Sequence, residues 1–149
     1  MDDKRPAILL DEDVAQWRWT RGYVENVAAA IALAAVDERA AGRIYNVGEP
    51  RTLSIAEWVR AIGNAADWHG EIVVLPRGRL PDHLTFNIDA SQDLEVDTTR
   101  IRNELGYSEV VLPDEALART VAWERAHLPE KIDPNQFDYA AEDAILTVL

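Results

Sequence analysis

Apolar residues at Val24, Val27, Ala28, Ile31, Ala32, Ala35 and Val36 fall at the i, i+3, i+4, i+7 spacing of an amphipathic helix, the clearest such pattern in the chain. Ala29, Ala30 and Ala34 widen the apolar surface, so the segment predicts a slim helix packed on two sides, with Gly42 placed to end it. Residues 43–47 then read as a strand closed by Gly48, Glu49 and Pro50. Ser54 and Glu57 have the spacing of a capping box, in which hydroxyl and carboxylate each satisfy a free amide at a helix start. Ile55, Trp58, Val59, Ile62 and Ala66 mark the buried face of the helix that follows, which ends near Asp67.

Ile72, Val73, Val74 and Leu75 form a β-branched run stopped by Pro76 and predict a short strand. From Arg77 to Glu95 no period holds, and an irregular stretch of that length in a compact domain is often functional. Residues 94–96 suit a short strand, after which Asp97 can cap a helix carrying Ile101 and Leu105 and ending at Gly106. Pro113 opens a longer helix reaching about His127. Beyond a polar linker, Phe137, Ala140, Ala141, Ala144, Ile145 and Val148 again have helical spacing and predict a docked terminal helix. Helices alternating with short strands predict an α/β or α+β unit. The expected organisation is one domain over residues 1–149, with a core at about 14–128 and residues 129–149 as linker plus terminal helix.

Composition narrows the function. The formal charge of −12 excludes a nucleic-acid or anionic-membrane partner, since phosphate binding needs clustered Lys and Arg. Without cysteine there is no disulfide, thiolate catalysis or Cys-ligated metal. Only four apolar residues, Ala7 to Leu10, follow the charged N-terminus, too few for a signal-peptide core, and no run reaches membrane-spanning length. A cytoplasmic protein is expected. Five tryptophans predict substantial buried aromatic surface.

Much familiar chemistry is missing. With glycines only at 22, 42, 48, 63, 70, 78 and 106, neither the dinucleotide-binding glycine fingerprint nor a P-loop or nucleophile elbow can form. No tyrosine has a lysine four residues later, and His69, His83 and His127 make no metal-binding pair. What remains is arginine, the side chain best suited to forked recognition of phosphate or carboxylate. Arg18 and Arg21 precede the Val24 helix, and Arg77 and Arg79 open the irregular stretch. Each can equally be a solvated cation or a partner for the acidic surface.

Five segments in order, from Arg18 to Trp123, resemble the extended short-chain dehydrogenase/reductases, the NAD-dependent epimerase/dehydratase family. Trp19 to Ala28 is similar to its Arg-Asp-Tyr-Val-x-Val-x-Asp-Val-Ala segment, Ile44 to Gly48 to its Tyr-Asn-Val-Gly strand, and Ser54 to Ile62 to its Ser-x-x-Glu helix. Asp97 to Tyr107 resembles its Asp-x-Ser-Lys and Glu-Leu-Gly-Trp signature, and Leu117 to Trp123 its closing helix. Trp19 stands where the family has its substrate arginine, with Arg18 and Arg21 on either side, and Glu25-Asn26 replaces its Asp-Asp pair. Arg79 and Asp82 have the Arg-x-x-Asp spacing with which nucleotide-sugar members contact the nucleotide.

The resemblance implies the C-terminal, substrate-binding half of such an enzyme, with the Rossmann half absent from this chain. Arg18, Arg21, Arg79 and Asp82 become the candidate substrate-binding residues, and the substrate class it implies is a sugar or nucleotide sugar. No catalytic, cofactor or metal residue is assigned; NAD(P) is expected for a full-length parent, and the chain alone is expected to be inactive without NAD affinity. The helix from Val24 would be uncovered, so self-association is expected. A stand-alone binding or assembly module on the same half-fold is the alternative, and an unrelated carboxylate enzyme lacks any paired acidic motif.

Overall fold

A computed structural model describes residues 1–85, 88–131 and 133–149; Phe86 and Asn87 of the irregular stretch and Ile132 of the linker lie outside the described residues. Among the described residues the architecture is mixed, as the alternation of patterns predicts, with six α-helices and a two-stranded parallel sheet. Strand β1 (Ala7–Asp11) runs beside β2 (Glu71–Leu75), in register from Ala7 opposite Glu71 to Asp11 opposite Leu75. Parallel strands need a long crossover. Here it contains α1 (Glu12–Gln16), α2 (Val24–Val36) and α3 (Ile55–Ala65).

Sequence pattern found β2 but not β1, because four apolar residues beside a charged terminus carry no period to test. Asp11 ends that strand and starts α1, its carboxylate accepting from the Asp13 and Val14 amides at 2.9 and 3.4 Å. Trp68 closes one end of the sheet: it is buried, and its indole N–H donates to the Arg5 carbonyl at 2.7 Å. Gly70 is required there, since a Cβ would lie 2.2 Å from the Trp68 ring.

Helix α2 spans the apolar period from Val24 to Val36, but Gly42 does not end it and it is not packed on two sides: Asn26 and Ala30 are buried, while Val24, Ile31 and Val36 are exposed. It ends at Asp37, whose carboxylate caps a short 3-10 turn (Glu38–Ala40), so Gly42 at φ +71° turns the chain after the helix is already over. Its key side chain is Asn26, 2% exposed. The Asn26 amide donates to the Val111 carbonyl at 2.9 Å, and its oxygen accepts from the Val110 and Val111 amides at 3.0 and 2.9 Å. Tyr107 returns the bond, its hydroxyl donating to the Asn26 carbonyl at 3.2 Å. Beneath this network Ala30, Ile101, Leu105 and Tyr107 form the buried core, with Leu33, Tyr45 and Val47 packed against it.

Helix α4 (Thr99–Leu105) begins just after Asp97, whose carboxylate accepts from the Thr99 amide at 2.8 Å, and Gly106 ends it in the left-handed conformation at φ +74°. Helix α5 (Pro113–Ala126) starts on its proline, as expected. Helix α6 (Tyr139–Thr147) docks by polar contacts, with Arg5 to Asp143 at 2.6 Å, His83 to Glu142 at 3.1 Å, and the Tyr139 hydroxyl to Asp3 at 2.7 Å.

Four further expectations are corrected. Residues 43–47 are not a strand: Tyr45 and Val47 face the core, but the flanking carbonyls of Ile44 and Gly48 accept from the Arg100 and Arg102 guanidinium groups. Residues 94–96 reduce to one bridge between Leu94 and Trp19. Of the five tryptophans only Trp68 is buried; Trp19 and Trp123 are exposed, the latter stacked on His127. The apolar face of α3 is only half buried, because α5 meets it across an open groove. No helix among the described residues is long and apolar enough to cross a membrane.

Replacing Asn26 with Ala would strand the Val111 amide and carbonyl, both buried, and the part-buried Val110 amide. The expected loss is ~3 kcal/mol, read by denaturant melts.

Candidate functional site

The chain between α1 and α2 is extended and pinned from both sides. Arg18 bridges to Ser54 at the start of α3, and Trp19 to Leu94. Side chains of an extended segment alternate, which sends Arg18 one way and Trp19 and Arg21 the other. Arg18 is occupied by its own protein: it donates to the Thr52 carbonyl at 2.7 Å and to Glu57 at 3.2 Å. That carboxylate also closes the predicted capping box, accepting from the Ser54 amide at 2.8 Å.

Arg21 is held differently. Its guanidinium carbon lies 5.0 Å from the Trp19 ring centre and 4.9 Å from that of Trp58, a cation between two indole faces. Nη1 is buried and has no hydrogen-bond partner. Burial lowers the pKa of the group from its ordinary value, because desolvation disfavours the charged form. The rings supply diffuse negative potential but no acceptor atom, so one strong donor is left unused.

Glu49 stands beside it with the opposite need. Its amide donates to the Arg21 carbonyl at 2.7 Å, which places the two residues side by side, and its Oε1 accepts from the Tyr23 amide at 3.3 Å. Its Oε2 is buried without a partner. Both side chains line a groove of about 650 Å3 between α3 and α5, walled by Ile55, Trp58, Val59, Ile62 and Leu117. Buried polar atoms are nearly always satisfied, and a concave apolar site holding a few convergent polar groups is how small-molecule sites are built.

The other two sequence candidates lie elsewhere. Arg79 is exposed on the loop after β2, its amide donating to the Pro76 carbonyl at 3.1 Å. Asp82 is exposed at the start of a 3-10 turn (Asp82–Leu84) and lines a separate cleft with Phe137 and Ala141. Neither lines the groove that holds Arg21. Glu49 and Trp58 were not among the sequence candidates. Trp58 reads from pattern as a core residue of α3, and nothing local to Gly48-Glu49-Pro50 marks a carboxylate that will be buried.

No family model matches the chain. In sequence it is similar to the uncharacterized protein y4nL of Sinorhizobium fredii, at 27% identity over 71% of this chain and 36% of that protein. It is also similar to a dTDP-glucose 4,6-dehydratase of Streptomyces griseus, at 37% identity over 58% of this chain and 24% of the dehydratase. The chain therefore spans about a third or less of the length of these relatives. In fold it is similar to RMD of Pseudomonas aeruginosa, solved with NADPH, with a TM-score of 0.57 over 82% of this chain and 36% of that one, at 15% identity. A short-chain dehydrogenase/reductase superfamily protein of Agrobacterium tumefaciens with bound NAD gives a TM-score of 0.54 over 80% of this chain and 34% of that one, at 21% identity. In fold the chain is similar to about a third of each of these two structures.

The two neighbouring arginines are expected to respond oppositely to mutation. Arg18→Ala removes bonds that hold the α3 start and lowers the melting temperature, whereas Arg21→Met removes a half-buried guanidinium whose Nη1 has no partner and leaves it within about 2 °C. Thermal melts of both variants check this.

Proposed function

We propose that the chain serves as the substrate-binding portion of an NAD-dependent epimerase/dehydratase-like protein, with Arg21 as the anchor of a small-molecule substrate. The observation that carries this reading is the guanidinium fixed between Trp19 and Trp58 with a buried N–H left over. A rigid scaffold that holds one strong donor ready loses little entropy when a ligand arrives, which is what positioning a substrate requires. Arg18 supports the site indirectly by fixing the α3 start. Arg79 and Asp82 remain candidates for a nucleotide moiety on a separate loop.

The 149 residues carry no glycine-rich phosphate cradle and no Tyr-x-x-x-Lys pair, so the role proposed for them is substrate positioning and not hydride transfer. The part described here would orient a substrate alcohol or ketone. A panel of sugars, nucleotide sugars and apolar ring alcohols, together with NAD, tests this by thermal shift. At least one substrate-class compound should raise the melting temperature of the chain and fail to do so in Arg21→Ala, and NAD should have no effect. Stabilisation by NAD, or by substrates equally in both proteins, would contradict the proposal.

Self-association is the second part of the reading. Val24, Ile31 and Val36 of α2 are 71%, 63% and 82% exposed, a run of large apolar side chains along one helix. A second copy could cover them. Light scattering should give a mass above that of one chain, and Ile31→Lys should reduce it to the monomer value.

A further inference from the structure

We propose that helix α6 is a strap closed by one buried carboxylate, Glu142, and that it opens together with the 82–84 turn as a single unit while the rest of the fold stays closed. The strap does not depend on what the Arg21 groove binds. Of the nine residues of α6 only Glu142 is buried, at 8% exposed. The apolar period that predicts a docked helix contributes little. Phe137, Ala140, Ala144 and Val148 are exposed, and Ala141 and Ile145 are half-buried.

The Glu142 carboxylate is held from two directions. His83 Nε2 donates to one oxygen at 3.1 Å, and Arg5 Nη2 lies 3.6 Å from the other. Both partners are nearly covered, their side chains 9% and 14% exposed. Arg5 also donates to Asp143 at 2.6 Å, and its guanidinium carbon lies 4.6 Å from the centre of the Tyr139 ring. The docking of α6 is therefore concentrated in a few charged bonds and is not spread over apolar contact. A buried carboxylate that loses one of its partners is left as a poorly compensated charge, so each bond matters more than an exposed ion pair would.

The same carboxylate fixes the middle of the irregular stretch. That stretch is tied to the body at both ends. The Arg77 amide donates to Glu12 at 3.3 Å, while the Trp17 indole N–H and the Arg18 amide donate to the Gln92 carbonyl and the Asp93 carboxylate at 2.9 and 2.8 Å. Among the described residues, His83 to Glu142 is the hydrogen bond that joins residues 78–91 to the rest of the chain. The turn itself rests on two local bonds, from the Leu84 and Thr85 amides to the Pro81 and Asp82 carbonyls at 3.0 and 3.1 Å. Neither element stands alone: a nine-residue helix is too short to persist undocked, and a single 3-10 turn has weak hydrogen-bond geometry. Opening at Glu142 thus melts both, as one local unfolding unit. Closed, the strap covers Arg5 and His83 with its own acid; open, it bares them.

Amide hydrogen exchange, read by NMR on the full 149-residue chain, tests this through reciprocal variants. His83→Ala, in the turn, should speed exchange of the amides of residues 143–147 in α6 about tenfold or more, the loss expected for a hydrogen bond to a charged group. Glu142→Ala, in α6, should speed the Leu84 and Thr85 amides by a similar factor, although alanine favours the helix. Raising sodium chloride from about 0.1 to about 1 M screens the pair of Arg5 and Asp143 and should speed both groups of amides. The Val111 amide, held by Asn26 at 2.9 Å, should keep its rate throughout. Unchanged α6 rates in His83→Ala, unchanged turn rates in Glu142→Ala, or no response to salt would overturn the strap. So would equal acceleration at Val111, which would mean that the whole fold opens, or α6 amides that already exchange at the rate of an unstructured chain.

Discussion

Asn26 is the constraint on which the arrangement of helices depends. One buried side chain supplies both a donor and an acceptor to the 110–111 backbone, and its own carbonyl receives the Tyr107 hydroxyl. The loop between α4 and α5 is therefore tied to α2 by side-chain hydrogen bonds. Because α5 begins immediately after that loop, at Pro113, the start of one wall of the groove is positioned by the Asn26 network. A carboxylate at position 26 could accept the two amide bonds but could not donate to Val111, and it would be a charge without a counter-ion. Asparagine in place of the aspartate of the family pattern fits this neutral role.

The second wall is fixed by the capping box of α3. Arg18 reinforces it from the neighbouring extended segment, so adjacent positions of one stretch divide the work. Arg18 satisfies the backbone and the carboxylate at a helix start, while Arg21 reaches the groove with a bond unmade. Side-chain alternation along the extended segment separates the two guanidinium groups. A burial that costs stability and has no internal compensation is the usual mark of a group held for a ligand.

Local rules with strong stereochemistry could be read directly from the chain. The extent of α2, the Ser54 and Glu57 box, Gly106 at a helix end and Pro113 at a helix start all depend on residues within a few positions of one another. What could not be read depends on distant partners. Strand β1 acquires its identity from β2, more than sixty residues later. Residues 43–47 have strand composition, but whether they form a ladder depends on a neighbour that composition does not specify. Trp58 has helix-core spacing and instead faces a groove, because the facing side chains of α5 stand apart. Of the candidate site, Arg18 and Arg21 were visible as arginines, but their opposite situations were not, and Glu49 had no signal at all. Arg79 and Asp82 were suggested by spacing alone, and proximity along the chain did not bring them to the groove.

The central claim is that Arg21, and not Arg18, carries a hydrogen-bonding capacity reserved for a ligand. Nitrogen–proton correlation spectra of the arginine guanidinium groups, recorded while the sugars, nucleotide sugars and ring alcohols of the substrate panel are titrated into the chain, test it most directly. The account predicts that the Arg21 resonances move saturably and those of Arg18 stay in place. Movement of Arg18 with Arg21 unchanged, or no movement of either at saturating ligand, would contradict it.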